Sequence, residues 1–209
     1  DYSSVETAEY TFERTAAAED ILLISYPANP EFEGMTVAEV AGITERDEVT
    51  TLLELSQAAE DHRRETGEDS GIIAKSMNNE DIAAFLRWPY MNICSDGWHG
   101  GHPRGYGSFP RVLGLFGREL GVLTVPEAIF KMTARAADSM GISDRGRITA
   151  GHYADLVIFN PDTVIDRATM KEPMAMSSGI ERVWVNGVLA FEDGAPTDAF
   201  AGQVVRRSE

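Results

Sequence analysis

Side chains that could do chemistry gather in one glycine-rich stretch of the sequence. The stretch offers a carboxylate, two imidazoles, a guanidinium and a phenol, from Asp96, His99, His102, Arg104 and Tyr106. A carboxylate in such a position can bind a divalent metal or relay a proton. An arginine can hold a substrate carboxylate through two parallel hydrogen bonds. Structural roles stay open beside these: Asp96 and Gly97 make a turn, the histidines cap loop carbonyls, and an ion pair of Arg104 braces the loop.

Other chemistry-bearing residues give weaker signals. The spacing of His99 and His102 lacks the geometry of a helical or strand metal-binding pair, and we favour structural roles for both. No Gly-Lys-Ser/Thr sequence follows Gly107, so the glycines do not form a nucleotide phosphate loop. Cys94 is the only cysteine. A single cysteine excludes an internal disulfide or a multi-cysteine metal site in this chain, and we expect the Cys94 thiol to be buried and unreactive.

The element before the candidate site is predicted to be a strand. Residues 90–95 form an apolar run that ends at Asp96 and Gly97, and residues 21–25 form an earlier buried strand that Pro27 closes. Between Gly97 and Pro110 we expect a long irregular loop. A functional loop that directly follows a buried strand is typical of the catalytic face of an α/β barrel.

Helices alternate with these strands. Thr36 and Glu39 form a capping pattern before a first helix, and further helices are predicted over residues 47–64, 79–88, 111–120 and 126–139. This alternation indicates an α/β barrel or a doubly wound sheet. From residue 148 the pattern becomes β, with Asn186 and Gly187 as a hairpin turn. We therefore predict two domains, residues 1–147, with an acidic helical insertion at about 31–88, and residues 148–209.

Composition limits the partners. Of the 209 residues 43% are hydrophobic, and 34 acidic against 18 basic side chains leave a net charge of −16. Residues 1–69 hold 18 acids and four arginines, so this part alone carries −14. Such a charge repels nucleic acid and anionic membranes, and we interpret the acidic helix mainly as a solvated face. No apolar run is long enough to span a membrane, and we expect a cytoplasmic location.

The motifs resemble those of the N-acyl-D-amino-acid deacylases, the D-aminoacylase branch of the amidohydrolase superfamily. The resemblance is most specific from His102-Pro103-Arg104 to Phe109-Pro110-Arg111, and it extends through residues 30–41, 95–97, 128–133, 144–148, 151–157 and 179–187. It implies an α/β fold: a metal-dependent (β/α)8 TIM-like barrel with a small β-sandwich. It further implies one or two zinc ions and hydrolysis of N-acyl-D-amino acids by a zinc-activated water.

Site residues follow from the same resemblance. Asp96 matches the aspartate after the eighth barrel strand, which implies a general acid/base that is also a possible metal ligand. Arg104, His102, Tyr106 and Gly97 are then expected to face the substrate, and we infer that Arg104 binds its carboxylate. Residues 21–25 become the seventh barrel strand.

The chain departs from the family in its length. Members are over twice as long, and their metal-binding His-x-His, cysteine and two later histidines precede the part present here. We therefore expect that the chain is the C-terminal portion of a deacylase. Its N-terminal part, a separate chain or segment, would complete both domains and supply most zinc ligands.

Two other functions remain in competition with this one. A hydantoinase- or dihydroorotase-like enzyme would act on cyclic amides with the same aspartate. A non-catalytic assembly module would use the acidic front of the chain to bind a partner.

Overall fold

A computed structural model of the chain describes residues 16–97, 102–170 and 172–207. The chain divides into two compact units, residues 1–79 and 80–209. This division falls earlier in the chain than the domain boundary that we predict at residue 148, which stays a prediction.

The first unit packs two helices on a two-stranded sheet. A 3₁₀ turn at Ala18–Asp20 leads into β1 (Ile21–Ser25), and a second turn at Pro30–Phe32 precedes α1 (Val37–Thr44) and α2 (Glu48–Thr66). Strand β2 (Gly71–Ala74) then pairs antiparallel with β1. The predicted strand and both predicted helices are confirmed, whereas β2 is an addition to the predicted elements.

Local capping explains why the helices of this unit begin where they do. The Thr36 hydroxyl accepts the Glu39 amide at 3.2 Å, and the Glu39 carboxylate accepts the Thr36 amide at 2.7 Å. These bonds satisfy two backbone donors that the first turn of a helix leaves free. The core below contains Tyr26, whose hydroxyl donates to the Leu55 carbonyl at 2.7 Å. Burial raises the pKa of Tyr26 to about 12.

The second unit begins with helices and ends in a sheet. Its helices are α3 (Asn79–Arg87), α4 (Arg104–Arg111), a π-helix (Val112–Glu119), α5 (Val125–Met132) and α6 (Ala134–Met140). Its strands are β3 (Leu156–Phe159), β4 (Ile180–Val185), β5 (Val188–Glu192) and β6 (Ala195–Pro196). The strands pair antiparallel in the order β3-β4-β5-β6. The mixture of helices and strands agrees with the predicted α/β class.

Three predicted elements of this unit are wrong in detail. Residues 90–95 are irregular rather than a strand: the Ile93 amide donates to the Lys131 carbonyl at 3.2 Å. The predicted loop up to Pro110 is shorter, because α4 already begins at Arg104. The predicted helix over 126–139 is two helices that are separated at Thr133, where φ is −124° and ψ is −90°.

The hairpin at Asn186 and Gly187 is confirmed. Both residues have positive φ, 52° and 81°, and they join β4 to β5. Two residues in this conformation give the turn the twist that antiparallel strands need, and Asn and Gly adopt it most readily.

A close approach of backbones fixes the core of the second unit. Val164 is buried, and a Cβ on Gly114 would lie 2.5 Å from its carbonyl oxygen, while a Cβ on Gly179 would lie 2.4 Å from its nitrogen. Glycine at 114 therefore lets the π-helix lie directly against the chain that leads away from β3.

In the described parts of the chain, no helix combines the length and the apolar character that a membrane crossing requires.

Candidate functional site

Asp96 lies in a tight turn after the irregular segment. Its φ is +45°, a left-handed conformation that aspartate tolerates better than most residues, and its side chain is 74% exposed. The Gly97 amide donates to the Ser95 hydroxyl at 3.1 Å, which closes the turn. The turn thus presents a solvent-accessible carboxylate.

Arg104 is the partner of this carboxylate. Its Nη1 lies 3.0 Å from Oδ2 of Asp96, and its own side chain is half-exposed. The Arg104 amide donates to Nδ1 of His102 at 3.1 Å, so in the neutral imidazole the proton is on Nε2. Burial, and secondly the nearby Arg104 charge, lower the pKa of His102. The lowered pKa favours the uncharged ring, which is the form whose Nδ1 can accept this hydrogen bond.

The Asp96 turn packs on the first turn of α4. A Cβ on Gly97 would lie 3.2 Å from the Gly105 Cα, closer than nearly all Cβ contacts. The Ser108 hydroxyl donates to the Arg104 carbonyl at 2.8 Å and lies 3.4 Å from the Ser95 carbonyl. The small residues at 97 and 105 therefore hold Asp96 and Arg104 within reach of each other.

Further along α4, the helix is contacted by the chain between β3 and β4. The Ser177 hydroxyl donates to the Tyr106 carbonyl at 2.7 Å, and Arg111 Nη1 lies 3.1 Å from Asp166 Oδ2. Tyr106 itself is 36% exposed.

The structure brings together four of the predicted site residues, Asp96, Gly97, His102 and Arg104, and places Tyr106 in the same helix as Arg104. His99 lies outside the described residues. Cys94 is exposed, so the prediction of a buried thiol is wrong: among the residues that the structure describes, no strand pairs with this segment to cover it. Sequence reasoning did not identify Asp166 and Ser177. Pro110, which leaves a helical carbonyl without a donor, is the signal that a partner for α4 exists.

The described residues contain no group of three or more His, Cys, Asp or Glu side chains that could hold a metal ion. Asp96 can supply one carboxylate ligand, but its nearest charged partner is a guanidinium. The described residues alone therefore do not complete a metal site.

Comparison with known proteins finds similarity to one family. Residues 94–191, which include the Asp96 turn and α4, match the sequence model of the amidohydrolase family. Two curated relatives from Alcaligenes xylosoxydans xylosoxydans are each 36% identical to the chain: an N-acyl-D-glutamate deacylase over 93% of the chain and a D-aminoacylase over 86%. The chain spans 38% and 35% of their respective lengths.

Solved structures agree with the sequence comparison. A D-aminoacylase described as having a binuclear metal centre matches 90% of the chain with a TM-score of 0.78 and 34% identity, and 38% of its own length is covered. The N-acyl-D-glutamate deacylase from Bordetella bronchiseptica, solved with zinc and a phosphonate inhibitor, matches 98% of the chain at the same TM-score and identity, over 40% of its length. Over nearly its whole length, the chain is thus similar in sequence and structure to part of known N-acyl-D-amino-acid deacylases.

Proposed function

We propose that the chain is the C-terminal portion of an enzyme that hydrolyses N-acyl-D-amino acids to a D-amino acid and a carboxylate. The observation that carries this proposal is the pair of exposed, opposite charges on Asp96 and Arg104, 3.0 Å apart, in the segment that matches the amidohydrolase family. A carboxylate can move the proton of the reaction, and a guanidinium beside it can bind a carboxylate substrate.

Asp96 is the general acid/base of this proposal. The oxygen of a water molecule forms a bond to the amide carbonyl carbon, and the water gives a proton to the Asp96 carboxylate. The carbon–nitrogen bond then breaks, and Asp96 returns the proton to the leaving amine nitrogen. The exposure of the carboxylate suits this role, because the group must reach both water and substrate.

Arg104 binds the carboxylate of the substrate. The guanidinium presents parallel N–H donors that match a carboxylate. His102, in its neutral form, fixes the start of α4 by accepting the Arg104 amide. Gly97 lies against the start of α4, and Tyr106 lies in that helix; we assign both contact with substrate.

The metal of the site would be zinc, one ion or two, held mainly by residues outside this chain, with Asp96 as one possible ligand. This assignment is supported by the zinc and binuclear metal centres of the related structures. When bound, zinc supplies polarisation of the attacking water. An N-terminal part of the enzyme, as a separate chain or segment, would bring the other ligands.

The proposal is tested by replacing Asp96 in the enzyme that is assembled from this chain and its N-terminal part. We expect Asp96→Asn to lower kcat for N-acetyl-D-amino acids by about 10²–10⁴-fold, the usual range for a proton-transfer group. Asp193→Asn is the matched control, because Asp193 also precedes a glycine and has φ +53°.

Two results would contradict the proposed function. Turnover that is unchanged in Asp96→Asn would remove this residue from the mechanism. Hydrolysis of hydantoins in preference to N-acetyl-D-amino acids would replace the linear substrate with a cyclic one.

A further inference from the structure

Helix α4 contains a proline that leaves one of its carbonyl groups without a helical donor. Pro110 has no N–H, so the carbonyl of Tyr106, four residues earlier, cannot form the usual bond. The Ser177 hydroxyl donates to this carbonyl at 2.7 Å. A residue 71 positions away in sequence therefore supplies the hydrogen bond that the helix itself cannot make.

Arg111, the residue after Pro110, makes a second contact between α4 and the chain that joins β3 to β4. Arg111 Nη1 lies 3.1 Å from Asp166 Oδ2, and the Asp166 side chain is only 12% exposed. A Cβ on Gly107 would lie 2.9 Å from the Asp166 Cβ, so Asp166 lies directly against the helix backbone. Arg104, Gly107 and Arg111 have the i, i+3, i+7 spacing of one helix face. Asp166 thus packs on the face that carries Arg104, one turn away from it.

Both contacts come from the two ends of a closed loop. The Ile165 amide donates to the Ser178 carbonyl at 3.2 Å, and the Ser178 amide donates to the Ile165 carbonyl at 2.9 Å. Asp166 and Ser177 are the residues just inside this closure. The loop therefore contacts α4 through two side chains that directly follow and precede the hydrogen-bonded backbones of Ile165 and Ser178.

We propose that Asp166 and Ser177 are positioning residues that hold helix α4, and with it Arg104, in the orientation needed to bind a substrate carboxylate. The part concerning substrate rests on the proposed function. The part concerning the helix does not, because it concerns contacts within this chain alone.

Hydrogen exchange of the 209-residue chain tests the structural part. We expect Asp166→Asn and Ser177→Ala to speed amide exchange at residues 105–109 and 111 by about tenfold, the factor that corresponds to losing one hydrogen bond to a charged or otherwise unsatisfied group. Ser177→Thr keeps the hydroxyl and should restore slow exchange. Asp138→Asn is the matched control, because it breaks an ion pair with Arg147 (2.6 Å) away from α4.

Two outcomes overturn the positioning role. In one, exchange in α4 is unchanged by both variants. In the other, exchange accelerates equally in α4, α5 and α6, which would indicate general loss of stability. Arg111→Lys provides a second test that retains the charge: because lysine lacks the planar fork, we expect a smaller acceleration confined to α4.

Kinetics of the assembled enzyme test the part concerning substrate. We expect Asp166→Asn to raise KM for N-acyl-D-amino acids about tenfold with kcat within twofold, and to leave KM unchanged for the corresponding substrate amides, which have no carboxylate. An active variant with unchanged KM for the acids overturns the inference and leaves the proposed function intact. A wild-type assembly without deacylase activity removes the proposed function, and the exchange experiment then decides the role of Asp166.

Discussion

Asp96 and Arg104 are the two residues on which the proposed chemistry depends, and both are accessible to solvent. An ion pair between exposed groups contributes only about 0–1 kcal/mol to stability. A substrate carboxylate can therefore replace Asp96 as the partner of Arg104 at little energetic cost. The pair that the structure shows is compatible with both of the interpretations that the sequence leaves open, a brace for the loop and a substrate-binding group.

Replacement of Arg104 by lysine separates these interpretations. Lysine keeps the positive charge but loses the planar fork that binds a carboxylate with two bonds. We expect Arg104→Lys in the assembled enzyme to raise KM for N-acyl-D-amino acids about tenfold, with a small effect on kcat and on the unfolding midpoint of the chain. Arg64→Lys, at an exposed position of α2, is the control. A change in the unfolding midpoint without a change in KM would show that Arg104 only braces the loop.

At the scale of elements, short sequence motifs correctly predicted the structures that are stabilised by contacts between residues close in sequence. Thr36 with Glu39 marked a helix start, and Asn186 with Gly187 marked a hairpin, because the stabilising bonds lie within a few residues. Residues 90–95 were predicted to be a strand from their apolar character, but a strand also needs a paired neighbour, and the Ile93 amide bonds to Lys131 instead.

The same limit applies to the candidate site. Asp96, His102 and Arg104 could be chosen from residue type and spacing, since they lie within nine positions of one another. Asp166 could not, because it lies 55 residues from its partner Arg111. The missing donor of Pro110 indicates an outside partner only once α4 is known to extend through residue 110, and it does not identify Ser177.

Close packing of the π-helix gives a prediction for Gly114. A methyl group there would meet the Val164 carbonyl and the Ile165 Cδ1 at 2.5 Å, and the backbone atom cannot move aside without shifting the core. We expect Gly114→Ala to destabilise the second unit by about 1–3 kcal/mol, as overpacked cores do. Gly42→Ala in α1, where nothing lies within 4 Å, should stabilise its helix by about 0.5–1 kcal/mol. Urea unfolding of both variants checks this, and equal effects would show that the close approach has no energetic consequence.

Lys131 in α5 leads to a prediction about how the stability of the fold depends on pH. The side chain is buried, and its Nζ donates to the Trp88 carbonyl at 2.6 Å. Burial, and secondly the charge of Arg135, lower the pKa of Lys131. At pH values between this lowered pKa and the ordinary lysine pKa of about 10.4, Lys131 binds the proton in the unfolded chain but not in the folded chain. Folded stability due to this group therefore rises with pH in that window.

Lys131→Met removes the titrating group, so the stability of wild type relative to this variant should increase from about pH 7 to about pH 10.5. Urea midpoints at both pH values measure the difference. A wild-type-to-variant difference that is constant with pH would contradict the predicted direction of the pKa.

At the scale of the whole molecule, residues 1–69 and 70–209 differ in net charge and in their match to the amidohydrolase family model. Residues 1–69 carry −14, and most of the acidic side chains of α2 are exposed. Residues 70–209 are close to neutral and contain the segment that matches the amidohydrolase family. The chain spans 38% of the length of its N-acyl-D-glutamate deacylase relative. An activity assay on the isolated chain therefore tests the proposed function less fully than an assay on the assembled enzyme does.

Strand β3 has a consequence for the behaviour of the chain in concentrated solution. It is an edge strand, and among the described residues no strand pairs with its outer side. All four of its residues are apolar, and Val157 and Ile158, which point to opposite faces, are each about half exposed. Such an edge, without lysine or proline, is a template for pairing with another copy.

Light scattering against protein concentration should therefore show attractive self-association of the isolated chain, and Val157→Lys should reduce it. Val188→Lys is the control, because Val188 is similarly exposed but lies in β5, between two neighbouring strands. Equal effects of the two lysines would attribute the association to net charge. If β3 is responsible, the shelf life of the purified chain depends on four consecutive residues far from the candidate site in sequence, and a single surface charge can extend it.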